Sequence, residues 1–143
     1  MKKRRFLSSV ILAIGLLLFT SLPITVFAQG TPSLKEGIAQ YTQENYEESI
    51  ETLDKARAED PLSAEAAFYL GMAYRQTNDI QNAYKQFEDA VGLKPLSDNA
   101  ILQFIEVSLL IDKLAIAKQW IAVAEENKVY PARIAFLKGS ALA

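Results

Sequence analysis

Carboxylates are the most abundant side chains here with acid–base chemistry, and several come in adjacent pairs: Glu47 with Glu48, Glu59 with Asp60, Glu88 with Asp89, and Glu125 with Glu126. Two carboxylates flanking one bond are what glycosidases use. Neighbouring residues on a helix point in different directions, however, and cannot converge on a shared substrate atom. These pairs are read as solvated helix faces. The chain has no histidine and no cysteine, which removes the commonest general base, the commonest partner of a nucleophile and the usual zinc ligands. The stretch QTNDIQN, residues 76–82, lacks the alternation and closing glutamate of a calcium loop and reads as turn and cap residues. Gly71, inside the apolar run FYLGMAY, has neither the second glycine nor the lysine of a phosphate loop. The residues therefore predict no enzyme, no catalytic group, no metal, no cofactor and no small-molecule substrate.

The elements that would have to position a site begin after an unusual amino terminus. MKKRR is followed by an apolar run centred on Val10 to Phe19, then by Pro23 and small residues, the layout of a secretory signal peptide for the general route. Cleavage is expected after Ala28, so residues 1–28 form the signal and 29–143 the mature domain. The rival expectation is an uncleaved membrane anchor, since Phe6 to Phe27 is long enough to span a bilayer. Loss of Lys2, Lys3, Arg4 and Arg5 leaves 11 basic residues against 17 acidic ones and a formal charge of −6. That balance speaks against nucleic acid or anionic lipid as partners. Without cysteine, stability must come from packing rather than disulfides.

Beyond the leader the sequence repeats itself. Pro61 and Pro95, Ala83 and Ala117, Ala56 and Ala90, and Gly37 and Gly71 are each 34 residues apart, Gly139 lies 68 beyond Gly71, and Leu53, Phe87 and Ile121 form a parallel apolar series. Apolar spacing within each period is helical and is broken twice, so each unit is a pair of helices. Helices are expected at 33–43, 46–59, 63–76, 79–93, 97–110, 113–127 and from 131 onward, with no strand pattern. Ser33 with Glu36 and Asn45 with Glu48 have capping-box spacing, and Asp79 and Asp112 are candidate N-caps.

These residues resemble the tetratricopeptide repeat. Leu70, Gly71, Tyr74, Ala83, Phe87, Ala90 and Pro95 stand at that family's spacing, with Ala67 in place of its early tryptophan. The first repeat keeps Gly37, Tyr46, Leu53, Ala56 and Pro61 but has Ser49 as its small residue. The third keeps Ala117, Ile121 and Ala124 but has Ile105 and Ser108 where glycine and tyrosine are expected. The resemblance implies an all-α solenoid of antiparallel hairpins, with repeats at about 30–63, 64–97 and 98–131 and a half repeat at 132–143.

Small residues such as Gly71 and Ala83 would let paired helices approach closely around Phe87. Ile105 predicts a looser or differently angled third hairpin, with Leu109, Leu110 and Ile111 filling the difference. The resemblance also implies that first helices line a concave groove. Leu34, Ile38, Tyr41, Phe68, Met72, Arg75, Glu106 and Leu109 are its candidate contacts, with Thr42, Glu65, Gln76, Asn99 and Leu102 beside them. An apolar, methionine-bearing lining suits a peptide or helix of a protein partner, with Arg75 and Glu106 fixing its orientation. Leu34 and Ile38 stand where lysines and asparagines grip acidic peptide tails in some family members, so that activity is not expected.

The expectation is a noncatalytic interaction scaffold in the bacterial envelope, most simply the periplasm. The alternative is the periplasmic amino-terminal part of a longer outer-membrane secretion or transport protein, motivated by the apolar half repeat. The same half repeat predicts self-association if it is not completed.

Overall fold

The structure, a computed structural model, describes residues 30–142. The signal segment expected at 1–28 lies outside the described residues. Seven helices follow one another: α1 (Pro32–Thr42), α2 (Tyr46–Glu59), α3 (Ala64–Gln76), α4 (Ile80–Gly92), α5 (Asp98–Leu110), α6 (Leu114–Glu126) and α7 (Pro131–Leu142). No strand occurs among the described residues. Each helix packs on the next, and α1 also touches α3 as α5 touches α7. The result is an all-α solenoid whose helices match the expected segments to within one residue at nearly every boundary.

Why the helices stop where they do is visible in the turns. Glu44, Asn78, Asp112 and Lys128 all have left-handed backbone, with φ of 64°, 62°, 57° and 57°. At each, the following amide donates to the carbonyl five residues back: Asn45 to Gln40, Asp79 to Tyr74, Lys113 to Ser108 and Val129 to Ala124. This is a Schellman ending, which satisfies carbonyls that a helix terminus otherwise leaves bare. The first three recur at the 34-residue period.

Two of the expected caps move. Ser33 is not a cap: Thr31 accepts the amide of Leu34 and Pro32 occupies the first helical turn, while Ser33 turns inward and its hydroxyl donates to Glu59 at 2.8 Å. Asp112 is the left-handed residue of a turn, and Lys113 takes the N-cap position. Asn45 is an N-cap by position but its side chain makes no capping bond. Asp79 caps α4 as expected, accepting the Asn82 amide.

The glycines do the spacing. A Cβ on Gly37 would lie 2.6 Å from Leu53 Cγ, and one on Gly71 would lie 2.8 Å from the Phe87 ring. In each of the first two hairpins a glycine is thus faced by the large residue sixteen positions on. Ser49, buried in the small-residue position, donates its hydroxyl to the Gly37 carbonyl at 2.8 Å, and Ser108 satisfies its own by donating to Phe104 at 2.6 Å. In the third hairpin Ile105 is fully buried in the main core with Ile121, and Leu109 and Ile111 pack against it. Leu110 does not help to fill that space; it is 61% exposed.

Burial divides into a smaller amino-terminal cluster around Leu34, Leu53 and Leu70 and a larger one from Ala67 to Ala141, with Tyr74 packed against both. The paired carboxylates other than Asp60 are exposed. Several make local bonds: Asp89 with Arg57 at 2.7 Å, Glu88 with the Tyr84 hydroxyl and Glu125 with Lys138.

Candidate functional site

Two features lie on the face made by the odd-numbered helices. The first is an open cavity of about 510 Å³ at the amino-terminal ends of α1, α3 and α5. Its apolar lining comes from Leu34, Leu62, Phe68, Tyr69 and Pro95, and its polar lining includes Asp60, Glu65, Lys94 and Asn99. The loops leading into α3 and α5 supply Leu62 and Pro95, so the cavity exists because each hairpin is joined to the next by a proline-containing turn rather than a continuous helix.

Phe68 is half-buried, with its ring 5.4 Å from Tyr69 and 6.0 Å from Phe87. Leu34 is 4% exposed and belongs to the amino-terminal core, so it forms part of the cavity floor. Leu62, at 73% exposure, stands at the rim. The Tyr130 hydroxyl donates to Asn99 at 2.7 Å and fixes that amide.

The second feature is a row of charge. Arg75 on α3 donates to Glu106 on α5 at 2.9 Å and to Gln103 beside it. Arg133 on α7 reaches the same carboxylate from the other side, at 3.0 and 2.6 Å. Glu106 is therefore shared by two guanidiniums and its side chain is only 10% exposed. Arg133 also sits 5.6 Å from the centre of the Phe136 ring.

Of the residues singled out from sequence, Leu34 and Phe68 meet in the cavity, together with Glu65 and Asn99. Arg75 and Glu106 meet in the charged row, bonded to each other. Ile38 packs against the amino-terminal core, and Met72, Leu102 and Leu109 against the main one. Tyr41 is half-buried against Tyr46 and Tyr69, at ring distances of 5.6 and 5.8 Å. Thr42 and Gln76 are exposed.

Leu62, Tyr69, Pro95 and Arg133 were not among the sequence candidates. A signal for two of them exists: the tripeptide Pro-Leu-Ser occurs at 61–63 and again at 95–97, marking loops that face the same way. Shifted protonation lies elsewhere. Burial pushes the Tyr74 hydroxyl up, helped by Asp54 beside it, and burial also raises Asp54 against the lowering effect of their hydrogen bond. Among the described residues no three potential ligands gather as a metal site. Nor is any helix among them long and apolar enough to cross a membrane.

The 34-residue hairpins, with glycine set against a large apolar residue, are the geometry of one repeat family, and residues 34–98 match its model, the tetratricopeptide repeat. That stretch carries tetratricopeptide repeats. Solved proteins with the same fold include the type III secretion chaperone SycD of Yersinia enterocolitica, in complex with a peptide of the translocator YopD. It is 15% identical, with a TM-score of 0.67 over 76% of this chain and 88% of its own. Another is the second tetratricopeptide-repeat domain of human RPAP3, in complex with the HSP70 peptide SGPTIEEVD. It is 22% identical, with a TM-score of 0.64 over 74% of this chain and 92% of its own. At these identities the likeness is one of fold. Comparison with curated proteins by sequence gives no match.

Proposed function

We propose that this chain is a noncatalytic scaffold that holds an apolar peptide segment of a protein partner against its odd-helix face. The observation that carries the reading is the cavity at the amino-terminal ends of α1, α3 and α5, where Phe68 and Tyr69 offer ring surface and Leu62 stands exposed at the mouth. Concave sites lined by aromatics with a few polar groups at the rim are where ligands gain burial at low entropic cost. Both solved relatives named above hold peptides of their partners, which supports a peptide here. Arg75 and Glu106 are bonded within the charged row and do not line the cavity, whose apolar lining suits a segment apolar at its centre. The basic and apolar leader supports delivery to the bacterial envelope.

A photo-crosslinking residue at Leu62 tests this in the native compartment. It should give a discrete adduct that is absent when the same residue replaces Glu51 on α2, and the adduct should disappear in Phe68→Ala while helical circular dichroism is retained. Equal crosslinking from both positions would overturn the reading.

A further inference from the structure

The six tyrosines of the chain fall into two sets. The hydroxyls of Tyr74, Tyr84 and Tyr130 donate to Asp54, Glu88 and Asn99, at 3.4, 3.0 and 2.7 Å. Those of Tyr41, Tyr46 and Tyr69 bond no protein group among the described residues and, not being sealed in the core, open to solvent.

The unbonded set is also the clustered one. Ring centres run from Phe68 to Tyr69 at 5.4 Å, on to Tyr41 at 5.8 Å and then to Tyr46 at 5.6 Å. All four are half-buried, and neighbouring planes are turned by 79°, 68° and 58°, so the rings form a row rather than a closed stack. Phe68 and Tyr69 line the cavity at the amino-terminal ends of α1, α3 and α5, and the row carries that surface across α1 to the start of α2.

We propose, resting on the peptide site proposed above, that the segment held along this row is proline-rich and in the polyproline II conformation. Peptides dock in a few backbone geometries, and the row suits one of them. A bound helix has satisfied its own carbonyls and has no use for a line of free donors. A bound strand needs a sheet edge, and no strand occurs among the described residues. Polyproline II has no internal hydrogen bonds, so its carbonyls seek donors, while proline brings no N–H that would seek an acceptor. Tyrosine supplies a ring face for the pyrrolidine and a hydroxyl for the carbonyl, with only two side-chain torsions to fix. Each step between rings is close to two residues of that helix, at about 3.1 Å apiece, so about six residues cover the row.

Calorimetric titration of the purified protein with a synthetic nonaproline peptide should show saturable binding. A helix-forming peptide of equal length, built from alanine, leucine and lysine, should not compete. The triple variant Tyr41→Phe, Tyr46→Phe, Tyr69→Phe keeps every ring and alters only solvent-facing atoms. Its circular dichroism should not move, while its affinity for the proline peptide should fall about tenfold through the lost donors. Tyr41→Leu, outside the cavity, should weaken binding by about 3- to 10-fold, the worth of one ring contact. A triple variant that binds as tightly as the parent overturns the proposal. So does preference for a chito-oligosaccharide, since sugars also lie flat on ring faces. Failure of the proline peptide to bind, while the Leu62 crosslink to the native partner still depends on Phe68, overturns the polyproline class and leaves the peptide site standing. Absence of both overturns the two together.

Discussion

A methyl group placed on Gly71 would sit 2.8 Å from the ring of Phe87, which is itself fully buried and has no room to retreat. Gly71→Ala should therefore cost about 1–3 kcal/mol through overpacking, although alanine is the better helix former. Gly92 ends α4 with nothing within 4 Å of the same methyl. Gly92→Ala should instead stabilise the protein by about 0.5 kcal/mol. Urea denaturation of the two variants measures the opposite signs directly. This spacing role was legible in the sequence because the glycine, the small residue and the aromatic recur at one period. The place of Ser33 was not: serine followed by glutamate three residues on satisfies the capping pattern, but Thr31 with Pro32 behind it supplies the same bond two residues earlier. Ser33 is then left free to bond Glu59.

Among elements, the turns repeat most faithfully, yet sequence shows them least clearly. Glutamate, asparagine, aspartate and lysine occupy the left-handed position of these four Schellman turns, so no glycine marks them, and Asp112 resembles a cap when it is a turn residue. Left-handed backbone is disfavoured for residues with a Cβ, less so for asparagine and aspartate, whose short polar side chains bond locally. Glu44→Gly and Lys128→Gly should each raise stability by about 0.5–1 kcal/mol, and Asn78→Gly and Asp112→Gly by less. Thermal melts of the four variants would show that order. The helices themselves were legible to within a residue because their apolar periodicity and their punctuation agree. The cavity was not, since Leu62 and Pro95 come from connecting loops and converge only when the hairpins stack.

At the scale of the whole molecule, Glu106 ties three successive odd-numbered helices through two arginines. Glu106→Gln keeps the shape and an accepting oxygen but leaves Arg75 and Arg133 facing each other with unneutralised charge. Loss of about 1–2 kcal/mol is expected, and the deficit should shrink as salt rises toward about 0.5 M, where repulsion between part-exposed charges is screened. Denaturant midpoints at two ionic strengths measure it. Neither the shared carboxylate nor Arg133 could be anticipated from one repeat alone, because the bond joins residues 27 and 31 apart in sequence across separate hairpins.

The recurring left-handed turn has a further consequence. It fixes the exit direction of the first helix in each of three hairpins through backbone bonds, whatever side chains those helices display. Mutation can therefore rewrite the displayed face while the path of the chain stays the same. A protein built this way can change its clients over evolutionary time without having to reinvent its architecture.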